Sequence, residues 1–221
     1  HLGVKPVITY LNSKDFESGK LAYKELSKYA GVLVPGGFGE TGIEGIIGAI
    51  KYARENKIPY FGLCYGMQLM VIEYARSVAG LADANTAEIN PKAQHVVIDV
   101  MESQKEKLTK NDYGGTMRLG NYPCKLRSGT VARAAYGVDA IEERHRHRYE
   151  VNNAYVAKLV ESGLVFSGVS PDHQLCEIAE LPKSAHPFFL GTQFHPEFLS
   201  RPLTPHPLFT AFIAAALKQQ K

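Results

Sequence analysis

An α/β fold built on an open, mostly parallel central sheet flanked by helices is the architecture this sequence predicts, and three observations predict it. Short apolar runs alternate with stretches of helical period through the first eighty or so residues, the pattern of a parallel sheet with helices on both faces. Two of those runs end in glycine-bearing turns at the carboxyl end of a strand, where open α/β sheets bind ligands. Further on, two apolar runs joined by a short turn read as a hairpin, which adds a small antiparallel extension.

The elements follow in order. Residues 4–10 (Val-Lys-Pro-Val-Ile-Thr-Tyr) read as a strand, with Asn12, Ser13 and Asp15 as turn formers. Residues 21–29 read as a short helix closed by Gly31. Val32-Leu33-Val34 is a buried strand that runs into Pro35-Gly36-Gly37-Phe38-Gly39 and then Gly42. Residues 43–56 form a helix with Ile46, Ile47, Ile50 and Ala53 on its apolar side. Lys57-Ile58-Pro59 turns the chain into the strand Tyr60-Phe61-Gly62-Leu63, and a helical pattern resumes directly after Cys64 with Met67, residues 69–72, Tyr74, Ala75 and Val78. Residues 85–88 read as a polar loop and 96–100 as a strand. Residues 102–112 are charged and lack a periodic apolar face, so a mobile loop is expected there, with order resuming at 114–120. In a strand through 143–148, Arg144, Arg146 and Arg148 share one face, and Glu143, His145 and His147 the other. Asn153 is placed as the cap of a helix through Glu161, ended by Gly163. Residues 164–169 and 175–181 form the hairpin, turning at Ser170-Pro171-Asp172-His173. The last buried strand, 188–194, delivers His195-Pro196-Glu197, and a helix over 207–218 offers Leu208, Phe209, Phe212, Ile213, Ala216 and Leu217 to the core.

Composition bounds the function. The chain has 221 residues, 45% hydrophobic and 21% charged, enough for one large core and read as a single domain over 1–221. A net charge of +3 is too small to argue for nucleic acid, and glutamates flank the arginine-rich strand, which is better read as carrying one anion-binding arginine. Three widely spaced cysteines, with no CxxC pair and no signal-peptide pattern, suit a reducing cytoplasm. No apolar run approaches the ~20 residues of a membrane helix, so no membrane is expected. The chain opens at His1 and leads straight into a strand. The expectation is a fragment, the C-terminal part of a longer chain.

Cys64 sits where a buried strand meets a helix, between Gly62 and Gly66. Such an elbow pushes a nucleophile out of the sheet and onto a helix N-terminus, whose dipole favours a thiolate. A cysteine in that place can also be a small core residue. The glycine turn at 35–39 lacks the lysine and spacing of a phosphate loop. It suits the presentation of backbone N–H groups to a developing negative charge, beside the plainer reading of a connecting loop. His195 ends an apolar strand and has the carboxylate of Glu197 two residues on, so Glu197 can orient an imidazole that serves Cys64. Glu88 by itself reads as a solvated loop carboxylate. Cys64, Cys124 and Cys176 have no metal-ligand spacing and His145/His147 stand as a lone pair, so no metal is expected and Cys124 and Cys176 read as core.

With those residues in view, the sequence resembles the class I (triad) glutamine amidotransferases, on Pro-Gly-Gly-Phe-Gly at 35–39, Gly-Leu-Cys-Tyr-Gly-Met-Gln at 62–68 and His-Pro-Glu at 195–197. More narrowly it is similar to the glutaminase domains of CTP synthases. That match rests on Tyr-Ala-Arg at 74–76, Asn-Thr-Ala-Glu at 85–88, Gly-Gly-Thr-Met-Arg-Leu-Gly at 114–120, residues 143–153, Gln-Phe-His-Pro-Glu-Phe at 193–198 and Ser-Arg-Pro at 200–202. The resemblance implies a flavodoxin-like fold and a Cys64–His195–Glu197 triad. It implies an oxyanion hole from the N–H groups of Gly37 and Tyr65, and a grip on L-glutamine by Gln68, Glu88 and Arg148. It implies no cofactor in this domain, an upstream synthase domain that uses ATP and Mg to aminate UTP with the released ammonia, GTP as an allosteric effector, and a homo-oligomeric enzyme. Against that pattern, Tyr65 stands where many relatives have leucine, the family's first strand and helix fall before His1, and residues 101–114 are short for the family's lid. Two other readings are another cysteine hydrolase of the same fold, gamma-glutamyl hydrolase or DJ-1-like, and a non-catalytic regulatory domain.

Overall fold

Runs of three or four buried apolar residues are too short for helices, and in the computed structural model, which describes residues 2–100 and 117–219, they pair into strands at the centre of the molecule. In the first part of the chain the elements are α1 (Ser13–Glu17), a 3-10 turn (Tyr23–Lys28), β1 (Val32–Val34), α2 (Ile43–Glu55), β2 (Tyr60–Leu63), α3 (Tyr65–Ser77), β3 (Ala84–Thr86) and β4 (His95–Val100). There follow β5 (Arg118–Leu126), α4 (Val131–Tyr136), β6 (Ala140–His147), β7 (Tyr149–Val151), a 3-10 turn (Asn153–Tyr155) and α5 (Val156–Glu161). The chain closes with β8 (Val165–Val169), β9 (Cys176–Glu180), β10 (Phe189–Thr192), a 3-10 turn (Pro196–Phe198) and α6 (Pro207–Gln219).

The predicted class holds: a central sheet with helices on both faces, plus a second small sheet. The large sheet has seven strands in the order β1-β2-β10-β9-β8-β5-β6, and the small one has three, β3-β4-β7. β1, β2 and β10 run parallel, and these are the strands whose carboxyl ends carry the site. From β10 outward the pairings are antiparallel, so the extension takes in β5 and β6 as well as the expected β8–β9 hairpin. One face of the sheet is covered by α2 and α3, with Ile47, Ile50, Met67 and Met70 in the core. The other is covered by α6, whose Leu208 and Phe212 pack with Phe61, Phe188 and Phe194. Every residue of α3 from Tyr65 to Ala75 is buried, because the helix lies between the large sheet, α2 and the small sheet. Among the described residues no helix is long and apolar enough to cross a membrane.

Several expectations need correction. Residues 4–10 are not a strand: among the described residues they pair with no other segment, and Val7 and Tyr10 stand 91% and 92% exposed. Alternating apolar residues make a strand only where a neighbour completes the hydrogen-bond ladder. Within 21–29 the chain makes a 3-10 turn, Tyr23–Lys28, rather than an α-helix, with Leu26 as its buried anchor. The supposed polar loop at 85–88 begins inside β3, where Thr86 is fully buried. The helix cap is Asn152, whose Oδ1 accepts the N–H of Ala154, one residue before the expected Asn153. The loop expected at 102–112 lies outside the described residues, as does the 114–116 part of the glycine-rich stretch that was expected to resume order. Strand β6 alternates as expected, Arg144 and Arg146 outward and Glu143, His145 and His147 inward, while Arg148 falls on the bend after it.

Candidate active site

Cys64 has φ +50° and ψ −96°, a backbone region that a residue with a Cβ rarely occupies. The elbow is held there by close packing. A Cβ on Gly62 would lie 2.6 Å from the carbonyl carbon of Gly66, and one on Gly66 would lie 2.4 Å from the carbonyl oxygen of Val34 in β1. The Cys64 N–H donates to the carbonyl of Thr192 at 2.6 Å, which ties the elbow to the end of β10. All three cysteines are free. Cys124 and Cys176 are buried in the core, and burial pushes the Cys176 thiol up to about 12.

Three residues past Thr192, the N–H of His195 donates to the carbonyl of Arg144 at 2.8 Å, which lays β6 across the end of β10. The His195 Nδ1 lies 2.7 Å from Glu197 Oε1. The pairing does not come from extended backbone, as the spacing suggested: Pro196–Phe198 is a 3-10 turn that folds the carboxylate back onto the ring. Phe198 stacks on that ring at 4.7 Å, and a Cβ on Gly36 would meet its Cε1 at 2.7 Å, so the imidazole is clamped between the glycine turn and an aromatic face. With Nδ1 engaged by Glu197, the buried Nε2 is left for the Cys64 sulfur. Burial opposes a charged ring, but the neighbouring Cys64 sulfur and the Glu197 carboxylate outweigh it and raise the His195 pKa to about 9.

The sulfur is buried without being sealed in hydrocarbon. Gln193 Nε2 donates to Cys64 Sγ at 3.6 Å, and the Arg146 carbonyl lies 4.0 Å away. Gln68, one helical turn into α3, donates its Nε2 to the Tyr149 carbonyl at 2.8 Å and to Gln193 Oε1 at 3.3 Å. Residues 146–149, with half-buried Arg148 among them, therefore pass directly over Cys64 and Gln68. A Cβ on Gly37 would be 3.3 Å from the Tyr65 ring, which sets the glycine turn against the first residue of α3. The N–H of Tyr65 belongs to the helical first turn, where no intrahelical acceptor exists. Glu88 Oε1 accepts the Gly39 N–H at 3.1 Å, so Glu88 borders the same turn.

Two features were not read from the sequence. Gln193 enters the sequence reading only within the 193–198 match, although one amide in an otherwise buried strand is itself a signal. The other is a buried ionic cluster behind β6. Arg118 Nη2 lies 2.7 Å from Glu177 Oε1, Arg118 Nη1 lies 3.9 Å from Glu150 Oε1, and the Tyr122 ring lies 4.4 Å from the guanidinium carbon. His145 Nε2 is 3.5 Å from Glu177 Oε2, and His145 Nδ1 is 2.9 Å from His147 Nε2. Burial first, then Arg118, keeps both imidazoles neutral, at about 2 and about 3.

Comparison with known proteins agrees with this geometry. A family model described as glutamine amidotransferase class-I matches residues 1–215. The chain belongs to that family. Within it, the chain is 62% identical over 198 residues to the CTP synthase of Carboxydothermus hydrogenoformans and 56% identical over 213 residues to that of Thermobifida fusca. Those matches cover 90% and 96% of the chain but only 36% and 39% of the relatives, so this amidotransferase spans well under half their length. Among solved structures, the Trypanosoma brucei CTPS glutaminase domain with bound acivicin superposes with a TM-score of 0.90 at 39% identity, covering 98% of this chain and 83% of that one. A putative GMP synthase component from Thermoplasma acidophilum, at 15% identity and a TM-score of 0.56 over 90% of this chain and 78% of that one, shares the amidotransferase fold.

Proposed function

We propose that this chain hydrolyses L-glutamine to glutamate and ammonia as the glutaminase part of a CTP synthase. The observation that carries the reading is His195, its Nδ1 held by Glu197 and its buried Nε2 without a hydrogen-bond partner among the described residues, with the Cys64 sulfur close enough to raise its pKa. The Cys64 thiolate adds to the side-chain amide carbon, and the carbonyl oxygen takes the negative charge. The N–H groups of Gly37 and Tyr65 receive that charge, a donor of this kind being worth about 3 kcal/mol of barrier. The His195 imidazolium gives its Nε2 proton to the departing nitrogen, which leaves as ammonia and a Cys64 thioester behind it. Neutral His195 then takes a proton from water, the hydroxide attacks the thioester, and glutamate leaves as the thiolate and imidazolium are restored. Glu88 suits the substrate ammonium, Arg148 its carboxylate, and Gln68 the space between. In the whole protein, ammonia passes to a synthase domain that activates UTP with ATP and Mg, with GTP as effector, in a homo-oligomeric enzyme of the cytoplasm.

Cys64→Ala tests the nucleophile: ammonia release is lost while the melting transition stays cooperative. The acivicin bound to the trypanosomal relative motivates a covalent test, in which a chloro-isoxazole analogue labels Cys64. Label found by mass spectrometry on Cys124 or Cys176 instead would reject the site.

A further inference from the structure

We infer that the Tyr65 side chain is a strap that aims the glycine turn, so that one residue supplies an oxyanion donor through its backbone and positions the other, Gly37, through its ring and hydroxyl. This rests on the glutaminase reading and deepens it. Tyr65 is buried at the first position of α3, directly after the nucleophile. Its ring covers Gly37, where an added Cβ would lie 3.3 Å from Cδ1. Its hydroxyl donates to the carbonyl of Gly39. The N–H of the same glycine is held by Glu88 Oε1 at 3.1 Å, and Gly39 itself takes a left-handed φ of +80°. The turn is thereby gripped on both polar groups of Gly39, while the His195 ring closes on Gly36 at its other end.

The grip also survives changes of pH. Burial, reinforced by the nearby Glu88 charge, pushes the ionisation of the Tyr65 hydroxyl well above its ordinary value, so it remains a donor throughout the working range. Without that hydroxyl, the Gly39 carbonyl loses its side-chain partner and Glu88 is left as the side-chain hydrogen bond described on Gly39. Gly37 sits two residues away, and a donor displaced by a fraction of an ångström loses most of its worth to a developing oxyanion. The ground state has no such charge, so substrate affinity is left nearly intact.

Tyr65→Phe removes only the hydroxyl, and the measurements are made on the whole protein. Steady-state ammonia release should show kcat lowered about 10- to 100-fold, with KM for glutamine within about twofold of the parent. Alkylation of Cys64 by iodoacetamide, a displacement that forms no oxyanion, should keep its parental rate. Inhibition by glutamate γ-semialdehyde, which the thiolate attacks to give a hemithioacetal oxygen in the same place, should weaken by the factor lost in kcat. An unchanged kcat, or a fall in alkylation equal to the fall in kcat, overturns the strap. Parental protein that releases no ammonia overturns the functional reading instead, so the two failures are told apart.

Discussion

Replacing Glu177 by glutamine tests the buried ion pair behind β6. Arg118 and Glu177 have side chains 6% and 0% exposed and meet at 2.7 Å. The guanidinium stays charged at every accessible pH. Glu177→Gln keeps the shape but removes the paired negative charge, leaving the cation a neutral amide oxygen, with Glu150 Oε1 at 3.9 Å and the Tyr122 face at 4.4 Å. Breaking a buried ion pair from one side costs about 3–5 kcal/mol. The ring returns about 1 kcal/mol of that, and ionisation of Glu150 in response offsets a little more. The net expectation is a loss of about 3 kcal/mol, which in a chain of this size lowers Tm by about 6–12 °C. Thermal and urea melts at pH 7 measure it, and a loss below about 1 kcal/mol would refute the argument.

Glu150→Gln, in the same cluster and with the same chemistry, should behave oppositely. Glu150 stands farther from the guanidinium, and its burial, with the Glu177 charge adding to it against the pull of Arg118, lifts its pKa to about 8. It is therefore protonated in the folded protein at neutral pH, and an amide replaces it for less than about 1 kcal/mol. The sign follows from proton binding. Between the ordinary carboxylate value near 4.5 and about 8, the folded state holds a proton that the unfolded chain has released, so the wild type loses stability as pH rises across that window. The slope is at most about 1.4 kcal/mol per pH unit. The glutamine variant lacks it, so its stability relative to wild type should climb from pH 5 to pH 8; a flat difference would show that Glu150 is ionised when folded.

The other outcomes are more direct. In Glu197→Gln, the carboxylate that helps hold the His195 proton up to about 9 is gone, so the alkaline limb of kcat/KM moves to lower pH and kcat falls about 10- to 100-fold. A pH profile with the alkaline limb unmoved would show that Glu197 does not tune the ring. In Gly66→Ala, the new methyl meets the Val34 carbonyl oxygen at 2.4 Å, a backbone atom that cannot step aside, and the loss should reach about 3 kcal/mol in a chemical melt or appear as insoluble protein. Parental stability in that variant would mean that the elbow has slack.

What the sequence disclosed and what it concealed divide along physical lines. The β1–α2 and β2–α3 units are local, each strand handing on to the helix that covers it, so apolar periodicity located them to within a residue or two. Cys64, His195, Glu197 and the glycine turn were visible because they are polar or glycine positions that end apolar runs. β5 was hidden: Gly120, Asn121, Pro123 and Lys125 interrupt any alternation, and its inward Arg118 is a charge that no pattern assigns to a core. Residues 4–10 misled in the other direction, a good strand pattern with no partner strand among the described residues. The hydroxyl of Tyr65 and the amide of Gln193 acquire meaning only from partners far along the chain, Gly39 and Cys64, so spacing could not reveal either.

The deepest dependence is on one register. In the β2–β10 pairing, Gly62 lies beside Gly191 and Leu63 beside Thr192. Both glycines are spaces into which the first turn of α3 sinks: a Cβ on Gly62 would strike Gly66, and one on Gly191 would sit 2.8 Å from the Met67 Cβ. The helix can approach the sheet only over that small-residue pair, and its approach forces the turn that leaves Cys64 in a backbone state costing about 1–3 kcal/mol. Because Cys64 follows Leu63 directly and His195 comes three residues after Thr192, the same alignment sets sulfur and imidazole at one end of two neighbouring strands. A slip of one residue would turn Gly191 away from α3, drive a larger side chain against Met67 and carry His195 off its hydrogen bond to Arg144. The packing that stabilises the sheet and the geometry that brings sulfur and imidazole to one end of it are therefore one constraint, and neither can be relaxed without the other.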